Sequence, residues 1–76
     1  MNLPELARNP RPGDMLDVAI DSFAEGGRGR GHWQAHVGSD RRVQKFDVRA
    51  RGGLPGEQVR MRVLGRKRRV LEGQVV

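Results

Sequence analysis

Two arginines alternate with glycines in A-E-G-G-R-G-R-G, residues 24–31. That composition suits three different tasks: cradling a phosphate, sticking to RNA as a disordered arginine-glycine tract, or bending a strand sharply while presenting cations. A mononucleotide loop needs G-x-x-x-x-G-K-[ST] ahead of a helix, and a dinucleotide fingerprint needs G-x-G-x-x-G inside a βαβ unit. Neither is present, since His32 stands where the last glycine of the nearest match would fall. Disordered tracts of this composition are usually long, whereas strand-like patterns flank this one at once. A strand corner that presents Arg28 and Arg30 is the better reading.

Other chemistry is harder to assemble. His32 and His36 are spaced i, i+4, which converges on a metal from a helix; on an extended strand they share one face but stand about 13 Å apart. Ser22 and Ser39 are the only hydroxyl nucleophiles, because Thr and Tyr are absent, and nothing marks a base or an oxyanion hole beside either. No catalytic residue, metal site or cofactor is expected in this chain.

Cations are more informative. Residues 1–25 carry a net charge of −3 and residues 26–76 a net charge of +9, and thirteen of the fifteen cations are Arg. The planar guanidinium suits bidentate phosphate contacts and stacking on bases. Arg60 and Arg62, outward on one strand and about 7 Å apart, would form a basic stripe. Arg66, Lys67, Arg68 and Arg69 extend it. Phe46 is expected in the core; Trp33 reads equally as core or as a stacking face for RNA.

These side chains need a scaffold. Residues 1–13, with Pro4, Pro10 and Pro12, read as an irregular, poorly ordered leader with at most a helical turn near residues 5–8. Leu16, Val18 and Ile20 then alternate with Asp17, Ala19 and Asp21 as a first strand. Residues 32–37 form a second strand, ended by Gly38-Ser39-Asp40. Residues 44–50 form a third, with Phe46, Val48 and Ala50 inward and Lys45, Asp47 and Arg49 outward. Leu54-Pro55-Gly56-Glu57 fits a type II turn, and Val59, Met61 and Val63 mark a fourth strand. A basic turn at residues 65–68 leads into a fifth strand over residues 69–76.

Five short strands with no helical period make a small all-β barrel, residues 14–76. The expected core is Leu16, Val18, Ile20, Phe46, Val48, Leu54, Val59, Met61, Val63 and Val75, with glycines 26, 27, 29, 31, 52, 53 and 65 at corners. With 76 residues and no cysteine, the chain has room for one domain and no disulfide or thiolate metal to support it. The absence of cysteine and of any apolar run long enough for a signal peptide or membrane helix predicts a soluble, cytoplasmic protein that works as a monomer.

P-G-D-M-L-D-V-A-I-D-S-F-A-E-G-G-R-G-R-G (residues 12–31), G-G-L-P-G-E-Q-V-R-M-R-V (52–63) and K-R-R-V-L-E-G-Q-V-V (67–76) together resemble the TRAM domain. That resemblance implies an OB-like five-stranded barrel that binds RNA beside a tRNA- or rRNA-modifying enzyme. It implies that Gly26, Gly27, Gly29, Leu54, Pro55 and Gly56 shape the barrel, and that Arg28, Arg30, Arg60 and Arg62 meet RNA. Trp33, Lys45, Lys67 and Arg68 complete the candidate RNA contacts. Between Gly31 and Gly52 the connection is longer than the family's compact hairpin. A leader ahead of the barrel is similar to the N-terminal placement in RNA uracil-5-methyltransferases, which implies either a substrate-binding module with its S-adenosylmethionine site in another domain, or a standalone module. The rival expectation is a protein-docking barrel whose charge is incidental.

Overall fold

Strict alternation of apolar and polar residues decides which way each strand faces, and five strands obey it well enough to enclose one core. The computed structural model describes residues 3–76. Its strands are β1 (Glu5–Leu6), β2 (Met15–Phe23), β3 (Gly29–Val37), β4 (Arg42–Arg51), β5 (Gln58–Lys67) and β6 (Val70–Val75). β2 to β6 close on themselves in the order β2-β3-β4-β6-β5-β2, with β1 added outside against β3. All barrel pairings are antiparallel except β4–β6, which is parallel. This is a small OB-like barrel, and closure leaves no open sheet edge around the core.

Leu16, Val18 and Ile20 of β2 face Phe46, Val48 and Ala50 of β4, Met61 and Val63 of β5, and Leu71 of β6, all buried. Val59 and Val75 are half-buried at the margin. Trp33 and Ala35 of β3 complete the core, so of its two readings Trp33 takes the structural one, at 7% exposure. Leu54 is a correction: it is 60% exposed. The turn that carries it is hung from β2 by its backbone, with Gly56 N donating to the Ile20 carbonyl at 2.7 Å and Ile20 N to the Glu57 carbonyl at 2.9 Å. Those bonds leave the first residue of the turn pointing outward. The turn itself has the expected form, closed by Glu57 N to the Leu54 carbonyl at 3.0 Å with Gly56 at φ +93°.

The helical turn expected in the leader is also corrected, the leader's residues 1 and 2 lying outside the described residues. Residues 5–8 form no helical turn; Glu5 and Leu6 pair in parallel with His36 and Val37. His36 N donates to the Pro4 carbonyl at 2.8 Å and Gly38 N to the Leu6 carbonyl at 2.9 Å. Pro10 is fully buried, and Arg8 and Asp14 form an ion pair at 2.8 Å. Apolar contact and backbone pairing therefore fasten this segment to the barrel.

Two glycines predicted as corners lie inside β3 instead. At Gly31 a Cβ would collide with the Ala19 carbonyl, and at Gly29 it would press on Ile20. Their lack of a side chain lets β2 and β3 approach closely, while Gly26 and Gly27, at φ +75° and +74°, make the bend itself. β3 thus starts three residues earlier than the sequence pattern suggested. The basic turn is displaced as well: the register shift between Val63 and Gly65 puts a bulge at Leu64, and β5 runs on to Lys67. Arg68 and Arg69 alone make the turn, with Arg68 at φ +56°.

Candidate nucleic-acid interface

Register brings together arginines from distant parts of the sequence. Arg30 of β3 is the direct partner of Arg49 of β4, and both point outward. Arg28, which leaves the glycine bend, joins them around a hollow of about 360 Å³ also lined by Glu25, Val70 and Glu72. A neighbouring hollow is lined by Lys67, Arg68, Val70 and Glu72. Val70 and Glu72 are common to both, so the glycine bend and the β5–β6 turn border one face of the barrel.

The charges on this face are mostly uncommitted. Arg28 lies 3.7 Å from Glu72, a loose and exposed ion pair. Arg49 is half-buried and donates from Nη1 to the Val48 carbonyl at 3.1 Å. Among the described residues, Arg30, Lys67 and Arg68 have no carboxylate within ion-pair distance. Three arginines against two glutamates, Glu25 and Glu72, leave this hollow with a net positive charge, which favours an anion with several oxygens.

A second cleft, also about 360 Å³, opens further along the same two strands. It places Lys45 and Gln34 opposite each other, with Arg69 reaching in from the β5–β6 turn. His32 stands on its rim between two acids, Nδ1 3.1 Å from Asp21 and Nε2 3.2 Å from Asp47. The hydrogen bond from His32, supported by one from the Ser22 hydroxyl, holds the Asp21 carboxyl below the usual carboxylate range. His36 instead lies with Nδ1 2.9 Å from the Arg41 carbonyl, so the two histidines take separate partners.

Of the residues singled out in the sequence, Arg28, Arg30, Lys67 and Arg68 gather on one face, with Lys45 beside them. Arg60 and Arg62 do not join them. Both are outward on β5, but they border β2, opposite Asp17 and Met15. Arg60 Nε lies 3.3 Å from Asp17, and neither arginine lines a hollow described above. Trp33 presents no open ring face, because its indole packs against Phe46 beneath the second cleft.

Arg49 was missed, and Arg69 was read as part of the basic stripe but not as one of the RNA contacts. The outward phase of Arg49 was readable from the alternation of β4, but its pairing with Arg30 needs the β3–β4 register. Arg69 enters the site only because the turn falls at Arg68 and Arg69 rather than earlier.

The scan of family models finds no match for this chain, and no curated protein matches it. Among solved structures it is similar to the solution structure of a conserved protein of Methanococcus maripaludis, with a TM-score of 0.63 and 20% identity over 87% of this chain and 80% of that one. At that identity the likeness shows the fold: a small, closed, OB-like β-barrel.

Proposed function

We propose that this barrel binds RNA through the face formed by the glycine bend, β3, β4 and the β5–β6 turn. The observation that carries the reading is the convergence of Arg28, Arg30 and Arg49 on one hollow, with Lys67 and Arg68 beyond the shared Val70 and Glu72. In OB-like barrels this face, flanked by these two loops, is where oligonucleotides are held. The cations supply phosphate contacts that are strong, sequence-tolerant and sensitive to salt.

The resemblance to the TRAM domain extends the proposal to a physiological role. The barrel holds tRNA or rRNA so that a methyltransferase domain, specific for uracil C5, reaches its base. Holding the substrate raises its local concentration at the catalytic domain, and the chemistry lies outside the barrel.

Fluorescence anisotropy with total tRNA and rRNA fragments at several salt concentrations tests the binding. The expected log–log slope is about −3 or steeper, corresponding to about four or more phosphates. Arg30→Thr/Arg49→Thr should flatten it strongly, and Arg60→Ala/Arg62→Ala much less. Absence of binding at low salt, or equal effects of the two double variants, would sink this assignment and favour a protein-docking barrel.

A further inference from the structure

Closure of the barrel stops short of the β3–β4 hairpin. β6 pairs with β4 only from Asp47 onward, so residues 42–46 have β3 on one side and no strand on the other. This open edge lies beyond the closed part of the sheet, between the turn at residues 38–41 and the β5–β6 turn.

Which backbone groups it offers follows from the ladder. Asp47 N donates away from β3, to the Arg69 carbonyl at 2.7 Å. In an antiparallel pair that direction alternates from residue to residue, so Val43 and Lys45 also turn both N–H and C=O to the open side. His36, the register partner of Val43, agrees: its N–H points away from β4, to the Pro4 carbonyl. Two donors and two acceptors thus stand in a row, with Val43 and Lys45 about 7 Å apart. A phosphate chain supplies acceptors only, whereas an extended polypeptide supplies both kinds at this spacing.

Side chains decide which polypeptide. Val43, at 43% exposure, shares the outward face of β4 with Lys45. Arg42 and Gln44 lie on the opposite face, where Arg69 Nη1 donates to Gln44 Oε1. Among the described residues Lys45 has no carboxylate within ion-pair distance, and Arg42 has only a loose, exposed contact with Asp40 at 3.6 Å. Cations on an edge keep it from pairing indiscriminately. Two copies of this edge would crowd the cations of one against those of the other, so self-pairing is opposed. The same cations attract an acidic strand.

We propose that residues 42–46 accept an extended acidic segment of a partner protein as an added strand. Its carboxylates stand opposite Arg42 and Lys45, three positions apart, with a β-branched side chain opposite Val43. The partner and the edge are both distinct from those of the RNA interface, and the proposal does not depend on it.

The test titrates a short peptide with Glu-Thr-Val-Glu at its centre, antiparallel to β4, into the wild-type chain while NMR follows amide hydrogen exchange. Exchange at Val43 and Lys45 should slow at least about tenfold, as expected of amides that gain a partner, with Gln44 unchanged because it already faces β3. Methylating the amide of the peptide's Val keeps its charge but removes a donor, and should weaken binding about tenfold. Val43→Pro removes one donor from the open side without touching a bond to β3; it should weaken the peptide similarly and leave RNA affinity unchanged. Arg42→Glu/Lys45→Glu should transfer the preference to Lys-Thr-Val-Lys. No protection at millimolar peptide, equal binding of the methylated or the lysine peptide by the wild type, or the same protection from an RNA oligonucleotide would overturn the proposal. Protection that rises with chain concentration alone would give the edge to a second copy and overturn it as well.

Discussion

Arg30 and Arg49 face each other directly across the β3–β4 ladder, and among the described residues neither has a carboxylate within ion-pair distance. Like charges in such a position destabilise a sheet. A fold selected for stability alone would place an acid or a β-branched residue at one of them. A polyanion bound across both would turn the repulsion into attraction, as the proposed RNA interface requires.

Stability and binding should therefore move in opposite directions at this pair. Arg30→Thr removes the repulsion and adds a good strand former, so unfolding should become harder by about 0.5 kcal/mol. The same substitution should flatten the salt slope of RNA binding by about 0.7 to 0.9. Denaturant unfolding and anisotropy on one preparation check both halves.

Glu72 is the acid that borders both hollows and holds Arg28. Glu72→Gln frees that arginine and removes a repulsive charge from the phosphate path. RNA affinity is expected to rise about three- to tenfold at low salt, with the gain fading as ionic screening increases. A loss of affinity would mean that Glu72 positions Arg28 rather than restraining it.

Two leucines separate core from surface. Leu71 is fully buried, and Leu71→Ala should cost about 2 to 5 kcal/mol, enough to unfold a marginal domain. Leu54→Ala removes an exposed side chain and should change stability by less than about 0.5 kcal/mol. Thermal melts of the two variants give a direct comparison.

Glycines divide in the same way. Gly31→Ala drives a methyl group into the Ala19 carbonyl and should destabilise by about 3 kcal/mol. Gly26 has open space around it but sits at φ +75°, so Gly26→Ala should cost only about 1 kcal/mol of backbone strain. Urea titrations that gave equal costs would contradict the close approach of β2 and β3.

Acid should loosen the N-terminal segment. The hydrogen bond from Arg8, aided by the Arg11 backbone N–H, holds the Asp14 carboxyl below its usual range. Because the folded value is the lower one, the contribution to stability is present above about pH 4 and is lost as pH falls through the folded value. Carboxyl NMR titration should show Asp14 titrating below an ordinary aspartate, and Arg8→Ala should bring it most of the way back.

Alternation made the barrel legible in the sequence. Leu16, Val18 and Ile20, then Phe46, Val48 and Ala50, then Met61 and Val63 face inward as the period of two requires. Alternation fails where a bulge breaks the count, as at Leu64, which moved the basic turn from residues 65–68 to Arg68 and Arg69. It was also silent where glycine replaces an inward side chain, which concealed the start of β3 at Gly29. The candidate site was half legible. Arg28, Arg30, Lys67 and Arg68 stood out by composition, but only cross-strand register reveals that Arg49 joins them and that Arg60 turns towards Asp17.

Closure through β2–β5 has a consequence for how the chain reaches this state. The seam joins residues as far apart as Met15 and Arg62, 47 positions along the chain. Chain entropy opposes such a contact until the segments between are in place. The β3–β4 and β5–β6 hairpins, closed by turns at residues 38–41 and at Arg68 and Arg69, bring their strands together at far lower entropic cost. The barrel thus combines local hairpins with a distant latch, and the edges of β2 and β5 that face each other have no barrel partner until the latch shuts. A nascent chain cannot close it before β5 has been made.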